Sequence, residues 1–261
     1  MLQIRVIPVL LLRDESLVKT AQFKKFKYIG DPSNTVRIFN ELETDEIILL
    51  DIKASLEGRS PNLKILSELV SECFMPLGYG GGITSLDQAK RIFDLGYEKV
   101  IINSHATIKP TLVEDISRHF GSQAVVAAID IKRGLLGKST VRTFSGKKAT
   151  NKEPIAWAKE LENRGAGEIL LTSIDREGTW EGFDLGLLKR VSGAVSIPLI
   201  AHGGAGSVDD IGRAVGIGGA SAVAVGSMVV FQKKGMGVLV NFPDKSELSA
   251  AIDRYKVTPR E

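Results

Sequence analysis

The sequence has very few thiol and imidazole groups. It contains one cysteine, Cys73, in 261 residues, and three histidines at dispersed positions. One thiol cannot form an internal disulfide or a cluster of thiolate ligands, so a disulfide-stapled fold and a multi-thiolate metal site are excluded. The histidines show no metal-ligand spacing. We therefore expect no metal and no other cofactor, and a protein suited to a reducing cytoplasm.

Long apolar runs and a strong charge of one sign are also missing. The apolar run over residues 6–12 is too short to span a bilayer, and no small-residue cleavage site follows it. The net charge of +3 is small and dispersed, which gives no reason to expect nucleic-acid binding. Locally basic stretches, Lys24-Lys25 and Lys147-Lys148, could contact phosphate or form solvated loop faces. We expect a cytoplasmic protein with neither a membrane nor a nucleic-acid partner.

What the chain does contain is an alternation of short β-branched runs with longer stretches of helical period, which indicates βα units on a parallel sheet. The runs are nearly uniformly apolar, as strands covered on both faces must be. Eight such units close into a (β/α)8 barrel, predicted here as a single domain over residues 1–261. The candidate strands are Arg5 to Leu11, Glu46 to Asp51, Met75 to Tyr79, Lys99 to Asn103, Ala124 to Asp130, Glu168 to Ser173, Pro198 to His202 and Ala222 to Gly226.

An internal repeat supports the barrel. The segment PLGYGGGITS from Pro76 is similar to PLIAHGGAGS from Pro198, 122 positions later (76 to 198). A second pair, DEIILLDIKASLEGR and GEILLTSIDREGTW, has the same spacing (45 to 167). Such a period predicts two half-barrels of four βα units each. A doubly wound open sheet is the alternative fold, but it would not require the second half to repeat the first.

Helix signals lie between the strands. The pattern DPSNTVRIFNEL opens at an Asp-Pro pair, and the patterns SLDQAKRIFDLG and NKEPIAWAKELENRG end at glycine. The last segment is ambiguous. We expect it to contain an extra turn and then a closing helix, with Phe242-Pro243 as the break between them.

Two glycine-rich turns occupy matching positions of the repeat, at residues 80–82 and 203–206. Each is followed one strand later by a small polar pair, Asn103-Ser104 or Gly226-Ser227. Glycine turns that lead into helices present free N–H groups and a positive dipole end to an anion. We predict two phosphate pockets on opposite sides of one barrel mouth, with His202 near the second. The alternative is that these glycines only serve turn geometry.

The candidate catalytic residues are polar side chains at the strand ends, Asp51, Asp130 and Thr172. A carboxylate at the end of an apolar strand is costly to hold unless it is hydrogen-bonded or functional. Asp130 could act as a general acid or base, with Thr172 positioning the substrate. In the alternative, Asp130 only pairs with Lys132 or Arg133 at the rim.

Four segments carry a resemblance to a known family: FGSQAVVAAIDIKR, SGKKATN, RGAGEILLTSIDREGT and GGAG. They closely resemble the cyclase subunit of imidazole glycerol phosphate synthase, HisF, and the likeness covers nearly the whole chain. In that family a glutaminase, HisH, docks on the amino-terminal face of the barrel. The ammonia it releases passes through the barrel to a bisphosphate ribonucleotide at the other end. The resemblance therefore implies a heterodimer with a HisH-like glutaminase and a phosphorylated substrate.

The resemblance also assigns roles to individual positions. The lysine of the family's mobile substrate loop matches Lys19. The family's first phosphate site matches Gly82, Asn103 and Ser104. Its second phosphate site matches Gly178, Gly203, Gly204, Gly226 and Ser227. The charged ring that guards the family's ammonia entrance matches Arg5, Glu46, Lys99 and Glu168, and its glutaminase contacts match Glu98 and Gln123.

One position departs from the family pattern at the chemistry itself. The family uses two aspartates as acid and base, at the ends of strands one and five. Asp130 matches the second, but Leu11 stands where the first belongs. Leucine can neither donate nor accept a proton, so two-group catalysis is absent as the family performs it. Asp14 lies three residues farther on, past the strand end, and is not expected to replace the missing acid. Glu177 and His202 also replace a usual aspartate and a usual serine.

The segments KFKYIGDP and SECFMPLGYGGGI resemble a subset of the family linked to the amidation of sugars for bacterial surface polysaccharide. In that reaction an acetamido group becomes an acetamidino group. The resemblance favours ammonia transfer to a phosphorylated sugar-type acceptor. Two alternatives remain, the authentic cyclase of histidine biosynthesis and a non-catalytic phosphate-binding activator of the glutaminase.

Overall fold

The structure, a computed structural model, describes residues 4–134 and 137–255. The strands are Arg5–Arg13 (β1), Ser16–Ala21 (β2), Lys24–Gly30 (β3), Ile47–Asp51 (β4), Leu77–Gly80 (β5), Lys99–Ile102 (β6), Val125–Arg133 (β7), Ser139–Thr143 (β8), Lys148–Ala149 (β9), Glu168–Ser173 (β10), Leu199–His202 (β11) and Ala222–Val225 (β12). The helices are Pro32–Glu41 (α1), Ala54–Glu57 (α2), Leu63–Ser71 (α3), Leu86–Asp94 (α4), Ser104–Ile108 (α5), Thr111–Phe120 (α6), Pro154–Asn163 (α7), Leu185–Ser192 (α8), Val208–Gly216 (α9), Ser227–Val230 (α10) and Lys245–Tyr255 (α11), with a 3₁₀ turn at Ser122–Ala124.

Eight of the strands form a closed parallel barrel, which confirms the predicted (β/α)8 fold. The order runs β1, β4, β5, β6, β7, β10, β11, β12, and β12 pairs again with β1. Closure leaves no exposed sheet edge in this ring, and helices cover its outside. All eight strands lie where the sequence predicts them. The strands β1 and β7 extend farther than predicted, because both continue to a charged residue, Arg13 or Arg133, beyond their apolar run.

These two strands run on because each pairs with an antiparallel hairpin that sequence reasoning missed. The hairpin β2–β3 follows β1, and the hairpin β8–β9 follows β7. Their tips have positive φ at Gln22-Phe23 and at Phe144-Ser145. Turns of this kind usually carry Asn or Gly. The first tip has neither and gave no turn signal, whereas the second contains Gly146, with a φ of 77°, in a Ser-Gly pair whose turn signal was not used.

Each hairpin rests on loops of the opposite half of the barrel. The backbone N–H of Gln22 donates to the Glu177 carbonyl at 2.9 Å. In the other direction, the Ser145 hydroxyl donates to the Ile52 carbonyl at 2.7 Å. The hairpins also meet each other, since a methyl group placed on Gly146 would lie 3.0 Å from the Phe23 ring. Together they cover the carboxyl-terminal mouth.

The repeat is visible in backbone detail as well. Ser85 caps α4 by accepting the N–H of Gln88, and Ser207, 122 positions later (85 to 207), caps α9 by accepting that of Asp210. The predicted Asp-Pro helix start is confirmed, because Asp31 caps α1. The expected closing helix is α11, and it follows an antiparallel bridge between Phe231 and Val238.

The core has two apolar layers. The larger layer fills the space between the strands and the surrounding helices. The smaller one fills the barrel interior and includes Ile7, Val9, Ile48, Leu170 and Ile200. Among residues 4–134 and 137–255, no helix combines the length and the apolar character needed to cross a membrane.

Candidate active site

A cavity of about 490 Å³ opens at the carboxyl ends of the barrel strands, beneath the two hairpins. This is the end at which (β/α)8 barrels carry their sites. The structure brings seven of the predicted site residues to its wall. They are Lys19, Asp51, Gly82, Asn103, Ser104, Asp130 and Thr172.

Asp130 projects into this cavity from β7. Its Oδ2 accepts a hydrogen bond from Asn103 Nδ2 at 3.1 Å. Burial raises the pKa of the carboxyl to about 7, and the charge of Glu177 adds to the rise, whereas the Thr172 hydroxyl and the Asn103 amide oppose it. The rim pairing with Lys132 or Arg133 is not observed. A carboxyl with this pKa exchanges protons readily near neutral pH.

The raised pKa of Asp130 predicts a pH-dependent effect on stability. Because the folded protein disfavours the ionised carboxylate, its stabilising contribution is complete below the unfolded pKa near 4 and is lost as pH rises through about 7. Asp130→Asn removes this loss. We expect the melting temperature of the variant, relative to the unaltered protein, to be higher at pH 8 than at pH 5. Thermal melts at the two pH values test this, and an equal difference at both would contradict the raised pKa.

Thr172 connects Asp130 to a buried histidine. It pairs with Asp130 in register across β7 and β10, and its Oγ1 lies 3.1 Å from Nδ1 of His202. Burial, together with a smaller effect of the charge of Lys19, lowers the pKa of His202 to about 3. The imidazole is therefore neutral at physiological pH, so one ring nitrogen donates and the other accepts. Sequence reasoning placed His202 beside phosphate and did not foresee this contact with Thr172.

The side of the cavity that lacks the second acid is apolar. Leu11 of β1 pairs in register with Leu50 of β4, and both side chains line the cavity. Asp14 lies in an exposed turn with a φ of 57° and does not line the cavity. The site thus has one hydrocarbon wall and one polar wall of Asn103 and Asp130.

Lys19 is fixed rather than carried on an open loop, which differs from the expectation. It lies in β2, is 3% exposed, and its Nζ donates to the Val9 carbonyl at 2.5 Å. Burial lowers its pKa to about 8, although the charge of Glu177 opposes the shift. Glu177 is also buried, which raises its pKa, and it accepts the N–H of Phe23 at 3.0 Å. The hairpin thereby carries a cation into the mouth.

The two predicted phosphate sites are placed differently. The first set, Gly82, Asn103 and Ser104, lines the cavity, whereas the second set does not. The hairpin β2–β3 covers part of the second set. A methyl group on Gly178 would lie 2.9 Å from Ala21 Cα, and one on Gly226 would lie 2.6 Å from Lys19 Nζ. The remaining members of the second set, Gly203, Gly204 and Ser227, follow β11 and β12.

The N–H groups available to an anion also differ from the prediction. Both helices that follow the glycine turns, α4 and α9, are already capped by serine side chains. The short helices that begin at Ser104 and Ser227 have no side-chain cap. Free backbone donors therefore lie after β6 and β12, one strand beyond each glycine turn. Ser104 also accepts the N–H of Phe144 at 2.9 Å.

Asp51 holds the loop after β4. One carboxylate oxygen accepts the N–H groups of Lys53 and Ala54, both at 2.9 Å, and the other is 3.4 Å from Arg59. Its proposed catalytic role stays a prediction. Lys24, Lys25 and Lys147, which belong to the two basic stretches noted in the sequence, also line the cavity. Sequence reasoning missed Arg13, the last residue of β1, and Lys53, two residues after the end of β4. Their signal was a basic residue next to each strand end.

At the opposite end of the barrel, four side chains form what we call the charged ring. Arg5 contacts Glu46 at 2.5 Å and also pairs with Glu168. Lys99 contacts both carboxylates at 3.0 Å. Cations and anions therefore alternate around the start of the barrel interior. Glu98 and Gln123 lie exposed at the same end.

Comparison with known proteins places the chain in a family. The family described as Histidine biosynthesis protein matches residues 5–234. A Pseudomonas aeruginosa protein with the provisional name imidazole glycerol phosphate synthase subunit hisF2 is 48% identical over 248 residues, which cover 95% of this chain and 99% of that protein. A Leptospira borgpetersenii protein provisionally named subunit HisF of the same synthase is 45% identical over 251 residues, covering 96% and 99%.

A third relative carries the family name without that qualification. Imidazole glycerol phosphate synthase subunit HisF of Alkaliphilus metalliredigens is 45% identical over 224 residues, which cover 86% of this chain and 89% of that protein. These matches agree with the barrel and with the predicted resemblance. The chain belongs to the HisF family of imidazole glycerol phosphate synthase subunits.

Proposed function

We propose that this HisF-family subunit receives ammonia from a HisH-like glutaminase and transfers it to a phosphorylated sugar-type acceptor, in sugar amidation for surface polysaccharide. The observation that carries the proposal is the asymmetric mouth. Asp130, whose pKa lies near neutrality, faces Leu11 and Leu50 across the cavity, where the family pattern has a second acid. A reaction that needs one proton acceptor fits this site better than a cyclisation that needs two acid–base groups.

The barrel interior supports a route for ammonia. The charged ring stands at its start and Asp130 at its end, and the side chains between them are apolar. Uncharged ammonia enters such an interior far more readily than the ammonium ion, because a charge loses its hydration there. The ring offers carboxylates on which a proton can be left behind. Delivery through the barrel therefore supplies a nucleophile in the reactive form.

At the mouth, ammonia adds to the acetamido carbon of the acceptor, and the C–O bond breaks as the amide oxygen leaves as water with the two protons that the attacking nitrogen gives up. The transfer begins when that nitrogen loses its first proton. Ionised Asp130 is placed to accept it. While Asp130 is ionised, Thr172 donates to it, and the tautomer of His202 that carries its proton on Nδ1 donates to Thr172. When Asp130 is protonated it donates to Thr172, and the Thr172 hydroxyl then donates to Nδ1 of the other neutral tautomer of His202, which carries its proton on Nε2. The neutral imidazole of His202 thus supports either protonation state of Asp130.

Phosphate on the acceptor is bound by the cations and backbone donors at the mouth. Lys19, Gly82, Asn103 and Ser104 lie at the cavity. In the second set, Gly178 and Gly226 lie beneath the hairpin β2–β3, and Gly203, Gly204 and Ser227 follow β11 and β12. Five further basic side chains line the cavity rim, and together they favour an anionic substrate. They are Arg13, Lys24, Lys25, Lys53 and Lys147.

Authentic cyclase activity in histidine biosynthesis is the second candidate. Its support is the 45% identity to the Alkaliphilus metalliredigens HisF subunit. Leu11 argues against it. Because both candidates use the same fold and the same ammonia supply, a test has to separate the acceptors.

We expect this gene not to restore growth without histidine to a bacterium that lacks its own cyclase subunit, because Leu11 removes one acid–base group. Growth on minimal medium is the measurement, and a functional HisF gene is the positive control. An immunoblot confirms expression. Growth equal to the positive control would overturn the sugar proposal in favour of the cyclase.

A direct assay completes this test. The purified protein is incubated with isotope-labelled ammonia and phosphorylated sugars that carry an acetamido group, together with extract of the source organism. Transfer of the label to the acetamido carbon supports amidation. If labelled product also forms at the same rate without this protein, a non-catalytic role as glutaminase activator replaces the proposal.

A further inference from the structure

Phe74 is the most exposed large apolar side chain among the residues that the structure describes, with 91% of its surface accessible. It lies in the loop between α3 and β5, at the amino-terminal end of the barrel strands. The charged ring opens at this same end. An aromatic ring left in water loses the free energy that its burial would provide, so an exposed aromatic of this size suggests a contact that is missing here.

The loop that carries Phe74 is held in place. The Asn40 side chain donates to the Glu72 carbonyl at 2.8 Å and accepts the N–H of Phe74 at 3.1 Å. The Thr44 hydroxyl contacts the sulfur of Met75 at 2.8 Å. The aromatic ring of Phe74 therefore projects from a fixed backbone. A partner that binds it would lose little conformational entropy to the ordering of this loop.

The loops around Phe74 are acidic. The three segments 42–46, 72–76 and 95–98 contain no lysine or arginine, and their carboxylates are Glu43, Asp45, Glu46, Glu72 and Glu98. Glu46 belongs to the charged ring, and Glu43 pairs with Lys245. The other three make no ion pair with any residue in 4–134 or 137–255. Phe74 thus stands within a field of negative charge.

We propose that Phe74 is the apolar anchor of the surface that binds the glutaminase subunit, seated in an apolar socket that basic side chains of that subunit surround. This inference rests on the proposed function, because ammonia delivered at the charged ring requires a partner seated over this end. Aromatic anchors at the centre of an interface carry much of its binding energy. A second copy of this chain fits poorly, because a two-fold contact would place carboxylates against carboxylates.

The test compares the binding of a HisH-type glutaminase from the same organism to the unaltered protein and to Phe74→Ala by calorimetry. We expect at least a tenfold weaker complex, as for a truncated hot-spot residue. Tyr28→Ala is the matched control, since Tyr28 is 63% exposed on the hairpin at the other end. It should leave affinity unchanged. Activity with added ammonia should be equal in Phe74→Ala and the unaltered protein.

A charge-reversal variant tests the role of the carboxylates around Phe74. Glu72→Lys combined with Glu98→Lys should slow association with the glutaminase, and the difference should shrink as salt is raised. Equal affinity of Phe74→Ala and the unaltered protein would overturn the anchor and leave the proposed function standing. A wild-type protein that binds no glutaminase would overturn the proposed function and the anchor with it. Self-association that Phe74→Ala abolishes would show a second copy as the occupant.

Discussion

Asp130→Asn is expected to lower the rate of ammonia transfer by about 100-fold or more, the usual contribution of a positioned acid or base. The amide keeps the size and the hydrogen bond to Asn103 within reach, but it cannot accept a proton. Because the carboxyl titrates near pH 7, the unaltered protein should gain activity as pH rises through that value, at constant free ammonia. The variant should lose this step. Initial rates from pH 5.5 to 8.5 with added ammonia measure both effects.

The matched control for this variant is Asp14→Asn. Asp14 is the other aspartate near the end of a relevant strand, and it lies in an exposed turn away from the cavity. Its replacement should leave the rate and the pH profile unchanged. If Asp14→Asn abolished activity while Asp130→Asn retained it, the acid–base roles assigned to these positions would be wrong. If neither mattered, the site would lack general base catalysis.

Lys99→Met is expected to uncouple the two ends of the barrel. The charged ring would keep the carboxylates of Glu46 and Glu168 with Arg5 as their only remaining cation in the ring. Removing one member of a buried ion pair destabilises a fold by about 3 to 5 kcal/mol. Because the Lys99 side chain retains some exposure, we expect a loss at the low end, about 3 kcal/mol. Glutamine-dependent activity should fall several-fold, while activity with added ammonia should persist.

Lys90→Met serves as the control, because Lys90 is an exposed lysine on α4 outside the ring. Urea unfolding supplies the stability difference, and the ratio of glutamine-dependent to ammonia-dependent rate supplies the coupling. Lys99→Arg should restore much of the ring by keeping its charge. An unchanged ratio in Lys99→Met would mean that the ring takes no part in ammonia delivery.

The barrel itself could be predicted from the sequence because its signals are local. An apolar run such as the one in β10 identifies a doubly covered strand, and a capping residue such as Ser85 marks the start of a helix. The charged ring was predictable only through family resemblance. Its geometry depends on the starts of separate strands that meet around one axis, and no local pattern contains that information.

The parts that could not be predicted depend on tertiary neighbours. The first hairpin turns at Gln22-Phe23, where no residue type indicates a turn. The burial of Lys19 follows from this hairpin. The contact between Thr172 and His202 joins residues on two adjacent strands whose separation in sequence says nothing about their pairing. Each of these features changes the candidate site more than the fold.

The two hairpins give the duplicated halves a reciprocal dependence. The first half supplies the cover that contacts Glu177, and the second half supplies the one that contacts Ile52. Since the Phe23 ring also packs beside Gly146, one cover cannot lift without losing its contact with the other. Lifting either hairpin would therefore break contacts with the opposite half of the barrel as well as with the other hairpin.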